Sequence, residues 1–144
     1  MNLRIVSGDL KKAFNLSKKI GEFENPYRID EYEKRLKDSS LILTGEIEEK
    51  VVGFKVGYDR YKDGSFYSWM GGVLLDYRRK DVASELAVFQ EKWAIDNGYK
   101  SIKLKTRNKH EGMLAFAIER GFKILHYEPH KDICEVRIWM EKIL

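Results

Sequence analysis

The stretch Gly71-Gly72-Val73-Leu74-Leu75-Asp76-Tyr77-Arg78-Arg79-Lys80-Asp81-Val82-Ala83-Ser84-Glu85-Leu86 holds a strand, a turn and a helix start in succession. The apolar run from Val73 to Leu75 ends a strand, Arg78-Arg79-Lys80 form a basic turn, and a helical pattern opens at Val82. A helix start presents N–H groups without intrahelical acceptors at the positive end of the peptide dipoles, so three cations beside it suit a phosphate. Taken alone, the three cations read more readily as a solvated turn than as a site. Their place between strand and helix favours a site.

Downstream, Val82, Leu86, Phe89 and Trp93 form one helical stripe, and Asn97-Gly98 supply a stop. Ile102, Leu104 and Thr106 then alternate as a strand. A strand, an amphipathic helix and a further strand at these lengths predict a parallel crossover. A helix over about Lys109 to Arg120 buries Met113, Leu114 and Ala117 or Ile118, and Gly121 follows it. Residues 122–127 and 133–140 close the chain as a hairpin, with Cys134, Val136, Ile138 and Met140 on one face. That alternation predicts a buried structural thiol at Cys134.

Upstream, residues 2–6 read as a strand and 9–20 as a helix. Glu22 to Tyr27 is a loop, because Pro26 disfavours helix at Asn25. Asp30 followed by Glu33 resembles a capping box for a second helix through Tyr32 and Leu36. Leu41 to Ile47 and Val51 to Tyr58 make a hairpin around Glu48-Glu49-Lys50, with Val52, Phe54, Val56 and Tyr58 on one face. The turn with Asp63-Gly64 leads into a strand from Phe66 to Leu75, in which Gly71-Gly72 predict a bulge or a close approach of another backbone. The walk predicts one α/β (α+β) domain over 1–144: a mixed, mostly antiparallel sheet of seven strands with one parallel β-α-β unit and four helices.

Composition sets the remaining bounds. The chain has 144 residues, 43% apolar and 35% charged, which fits a globular protein with a charged surface. Its formal charge of +4 comes from 27 basic and 23 acidic residues interspersed along the sequence. That permits an anionic ligand without demanding nucleic acid, and no nucleic-acid motif appears. A single cysteine excludes an intrachain disulfide, and no apolar run is long enough to span a bilayer, so the expectation is a cytoplasmic protein without membrane partners. His126 and His130 straddle Pro129 rather than sharing a helix face, so no metal is expected.

The order of elements, with Val73 before Arg78-Arg79-Lys80-Asp81-Val82-Ala83 and then Thr106-Arg107-Asn108, Met113-Leu114-Ala115-Phe116 and Gly121-Phe122, resembles the GCN5-related N-acetyltransferase family over nearly the whole chain. The resemblance implies an enzyme that moves an acetyl group from acetyl-coenzyme A to a primary amine by direct attack. It implies that the coenzyme lies between splayed parallel strands, its pantetheine against Gly72 to Leu75. The diphosphate would then sit at the turn from Arg78 through Arg79, Lys80, Asp81, Val82 and Ala83 to Ser84, and Asn108 beside the pantetheine arm. Two positions depart from the family pattern. Asp81 stands where a glycine is usual, and Ala117 stands where a tyrosine often serves as general acid.

Amine attack on a thioester needs a proton acceptor and a donor for the oxyanion. Backbone N–H groups near Gly72 or Val73 suit the donor. For the acceptor, Glu22, Glu24, Tyr67 and water stay open, with Glu24 and Tyr67 ranked first because their segments line the acceptor side in the family. Tyr58, Tyr61, Phe66, Tyr67 and Trp69 read equally as sheet packing or as the wall of a pocket for an amine. The amine itself, small molecule or peptide, and the oligomeric state, including a homodimer, are open. A non-catalytic acyl-coenzyme A-binding module of the same fold is the alternative.

Overall fold

The computed structural model describes residues 2–21, 27–78 and 81–144. Seven strands form one sheet in the order β1-β2-β3-β4-β5-β7-β6. They are β1 (Leu3–Ser7), β2 (Ser40–Ile47), β3 (Lys50–Tyr58), β4 (Ser65–Val73), β5 (Ser101–Arg107), β6 (Lys123–Glu128) and β7 (Arg137–Ile143). Four helices accompany them: α1 (Leu10–Ser17), α2 (Ile29–Arg35), α3 (Val82–Asp96) and α4 (Glu111–Glu119). Neighbouring strands are antiparallel except β4 and β5, which are parallel and joined through α3. The mixed sheet with one parallel crossover is therefore as the periodicities predict.

Two cores lie on opposite faces. Helices α3 and α4 cover one through Val82, Leu86, Ala94 and Ala117, packed on Phe66, Val73, Ile102 and Leu104. Helices α1 and α2 cover the other through Ala13, Leu16, Tyr32 and Leu36, packed on Phe54, Val56, Tyr67, Trp69 and Trp139. Each helix supplies the narrow apolar face that a sheet of alternating residues needs. Asp9 accepts the Lys12 N–H at 3.1 Å and caps α1.

Several local expectations give way to tertiary packing. On α3 the buried arc turns toward Ala87, Gln90 and Ala94, whose small or flat side chains let the helix approach β3, and Phe89 opens to solvent. Met113 and Ile118 are exposed on α4, and Ala117 alone among its residues is buried. Helix α2 begins after Arg28 with no side-chain cap, so Asp30 lies in its first turn instead of capping it. Val52 is the extra residue of a bulge opposite β2, which turns it to the α3 face, away from Phe54 and Val56.

Cys134 is exposed, contrary to the buried thiol that alternation predicts. The Asp132 carboxylate accepts the Cys134 N–H at 3.0 Å, which curls Ile133–Glu135 into a 3-10 turn and delays the strand to Arg137. Strand β4 likewise stops at Val73, and Leu75–Tyr77 leave the sheet as a 3-10 turn with Leu75 exposed.

Candidate active site

The site begins where two parallel strands part. Strands β4 and β5 pair only from Ser65–Ser101 to Ser68–Leu104. Beyond that, β4 continues to Val73 paired with β3 alone, while β5 continues to Arg107 paired with β7 alone. The cause is a bulge at Trp69: Val56 faces Met70 and Gly57 faces Ser68, so Trp69 has no opposite residue. Trp69 and Met70 consequently both pack on the α1/α2 face although they are adjacent in sequence. The bulge therefore lies ahead of the glycine pair that was expected to make it.

Gly72 answers to the other expectation, close approach, but to a side chain. A Cβ there would fall 2.5 Å from Ile20 Cδ1. The Leu74 N–H donates to the Val52 carbonyl at 2.8 Å, which marks a hydrogen-bonded pair of the antiparallel ladder. By alternation Phe54 and Gly72 form the next such pair, while Val73 and Gly71 sit opposite Gly53 and Lys55 in non-bonded pairs. Val73 and Gly71 thus turn their backbone groups away from β3 and into the cleft, and Gly72 does not. The Arg78 Nε–H donates to the Val73 carbonyl at 3.0 Å, so the first cation of the basic turn clamps the strand end.

Asp81 is the left-handed residue before α3, with φ 63° and ψ 9°. This conformation favours glycine and tolerates aspartate better than most residues, which accounts physically for the small-residue pattern at that place. The Asp81 carboxylate is exposed and makes no capping hydrogen bond. The Glu85 N–H reaches the Asp81 carbonyl at 2.9 Å as the first bond of the helix, and the geometry leaves the amides of Val82, Ala83 and Ser84 without an intrahelical acceptor. Arg79 and Lys80, and Glu22 and Glu24, lie outside the described residues. Asn108, just past β5, donates its side-chain amide to the Ile133 carbonyl at 3.2 Å and its N–H to the Val136 carbonyl at 2.9 Å. It pins the β6–β7 connection to the far side of the cleft.

Tyr67 is buried on the α1/α2 face, edge-on to Tyr58 and Tyr61 and tilted against Trp139. Burial pushes its pKa up to about 12 although Arg60 opposes the shift. At neutral pH it is a phenol that donates a proton or hydrogen bond, which argues against the expected role as proton acceptor. Among the described residues no three His, Cys, Asp or Glu side chains converge as metal ligands.

One residue that the sequence reading passed over stands on the other face. Lys55 lines a small cavity with Gln90, Glu91, Leu104, Ala117 and Arg120, between α3 and α4. Lys55 lies opposite Gly71 on β4, and Leu104 is the last β5 residue to pair, so the cavity sits over the point where the strands part. Desolvation lowers the Lys55 pKa to about 8, with Glu91 opposing and Arg120 reinforcing the shift. Glu91 is already held by Arg120 at 3.0 Å and Lys142 at 2.8 Å. Gln90 Nε2 and Arg120 Nε are buried there with no hydrogen-bond partner among the described residues, so the cavity offers donors in excess of acceptors. The signal in sequence was a lysine amid the apolar alternation of β3.

The acetyltransferase (GNAT) family model matches residues 9–122. Among solved structures, the chain resembles the ribosomal-protein-S18-alanine N-acetyltransferase of Escherichia coli with a TM-score of 0.85 at 16% identity, covering 99% of this chain and 94% of that one. It resembles a Bacillus subtilis acetyltransferase in complex with coenzyme A with a TM-score of 0.75 at 17% identity, covering 99% of each chain. An aminoglycoside 6'-N-acetyltransferase complexed with coenzyme A gives a TM-score of 0.80 at 17% identity, over 97% of this chain and 96% of that one. At these identities the likeness is one of fold. No curated protein matches the chain in sequence.

Proposed function

Because the chain belongs to the GNAT acetyltransferase family, we propose that it transfers an acetyl group from acetyl-coenzyme A to a primary amine of a small molecule or peptide. The observation that carries this reading is the edge of β4 from Trp69 to Val73, which is unpaired toward β5 and ends beside the start of α3. An open strand edge suits the amide groups of an extended ligand, and a helix start suits its diphosphate. When bound, acetyl-coenzyme A supplies an acetyl thioester, so that the C–N bond forms as the C–S bond breaks, the amine gives up a proton and the sulfur takes one.

The residues divide the remaining work. Gly71 and Val73 N–H groups suit hydrogen bonds to acetyl and pantetheine oxygens, with Gly72 and Leu74 holding the strand in place. Arg78, with Arg79 and Lys80 next to it in sequence, adds positive charge for a diphosphate bound at the amides of Asp81 to Ser84, with Leu75 and Asn108 at the rim. Glu24 serves as proton acceptor for the amine, and Tyr67 serves the acceptor side as a hydrogen-bond donor. Lys55 Nζ holds the proton that the sulfur requires, because Ala117 cannot donate one and Lys55 lines the same cavity. Its pKa of about 8 keeps it protonated at neutral pH and poised to give the proton up.

Calorimetric titration of the folded protein with acetyl-coenzyme A tests the reading: one saturable site is expected, and no binding overturns it. A non-catalytic acyl-coenzyme A-binding module is the second reading, favoured by Ala117. Release of free thiol in the presence of any amine eliminates that reading.

A further inference from the structure

The α1/α2 face beside the cleft carries an unusual grouping of charge. Lys105 is the first residue of β5 beyond its pairing with β4, and its Nζ lies 5.0 Å from the Trp139 ring centroid. Arg60, from the β3–β4 connection, lies 5.6 Å from the same ring and 4.9 Å from that of Tyr67. Two cations thus share one aromatic ring, at the mouth of the splay.

Among the described residues, the carboxylates around them hold other partners. Glu31 binds Arg35 at 2.6 Å, and Asp63 binds Lys103 at 2.9 Å. Glu128 accepts the Trp139 Nε1–H at 2.9 Å and pairs with Arg137 at 3.7 Å. Asp59, beside Arg60 in sequence, faces the Tyr99 hydroxyl at 3.4 Å. The Lys105 pKa is lowered by burial first and then by Arg60 and Arg137, with Glu128 the opposing charge, so cations outweigh anions around it. A cation placed near other cations on a low-dielectric aromatic floor attracts an anion strongly.

With the coenzyme on the α3 side of the cleft, an acceptor amine meets it from this face. We infer that the acceptor is a small amine that also carries a carboxylate or phosphate, which Arg60 and Lys105 bind over the Trp139 ring, leaving the amino group at the cleft. This inference rests on the acetyltransferase reading. It disfavours polycationic amines, because each added positive charge would meet Arg60, Lys105 and the nearby Arg35 and Arg137.

The test pairs amines that differ in whether they carry an anionic group. With acetyl-coenzyme A saturating, O-phosphoethanolamine is compared with ethanolamine, β-alanine with β-alaninamide, and both with spermidine and kanamycin. The anionic member of at least one pair is expected to exceed its neutral partner in kcat/KM by about tenfold or more, the size of a charge-assisted contact. Arg60→Gln and Lys105→Gln should each erode that preference while leaving acetyl-coenzyme A affinity intact. The phosphate and carboxylate pairs separate the two anion chemistries.

Binding is read independently of turnover through tryptophan fluorescence, since Trp139 underlies both cations. In the presence of coenzyme A, O-phosphoethanolamine or β-alanine should produce a saturable, salt-sensitive change that both variants weaken. A better rate with spermidine or kanamycin, a preference untouched by both substitutions, or no fluorescence change with either anion would overturn the inference. Failure of acetyl-coenzyme A to bind would instead remove the acetyltransferase reading itself.

Discussion

The two halves of β4 differ in what they touch. From Ser65 to Ser68 the strand pairs with β5, at Tyr67 and Ser68 with β3 as well, and its side chains, Phe66 and Tyr67 among them, are buried in both cores. From Trp69 to Val73 one edge is open, and two of its five residues are glycine. The first half anchors the sheet, while the second presents backbone to a ligand. A single extra residue, Trp69, separates them, because a bulge both ends the regular pairing and reverses the side-chain alternation.

Glycine substitutions sharpen this contrast most directly. Gly57 faces the paired half, and a Cβ there would lie 2.5 Å from the Tyr67 carbonyl oxygen and 2.6 Å from the Phe66 ring. Neither can yield easily, so Gly57→Ala is expected to cost about 3 kcal/mol in urea unfolding, the upper range for overpacking. If its midpoint matches that of the native chain, the paired half is not the rigid one.

Lys55→Met tests the open half through chemistry. Thiol release is expected to fall about 100-fold, the scale of general acid catalysis, with acetyl-coenzyme A affinity held. The sign of the pH effect follows from a lysine that loses its proton as pH rises: native turnover should acquire a falling limb above about pH 8, and the variant should lack it. A limb that persists in the variant assigns the proton to another group.

Gly72→Ala should cost about 1 kcal/mol, because the clashing atom is the mobile end of Ile20 and can swing aside. Gly71 offers a milder case, its nearest neighbour lying 3.4 Å away at the Phe54 carbonyl. Asp81→Gly should change stability least, by a few tenths of a kcal/mol, since both residues reach φ 63°. The same change should tighten coenzyme A binding in calorimetry by removing a carboxylate near the diphosphate. Weaker binding would make that carboxylate a participant.

Much of the frame was legible in the chain because it rests on local rules. Periodicity located the strands and helices, and Val73 and Val82 marked the end of β4 and the start of α3. What escaped depends on side-chain bonds and packing contacts, some local and some distant in sequence, that periodicity does not report. Cys134 was lost to a side-chain bond from Asp132 that no alternation reveals. Phe89 fell off the buried arc because Ala87 and Ala94 set how α3 rests on β3. Lys55 read as one polar residue in a strand until α3 and α4 closed over it.

The sequence by itself determined the order of the elements, the parallel crossover and the opening of a helix at Val82, because these follow from side-chain period and backbone preference. Only the tertiary structure decided where β4 parts from β5, which backbone groups face the opening, and which cations gather beside it. Those depend on register and on burial, and both are set by contacts between segments far apart in the chain.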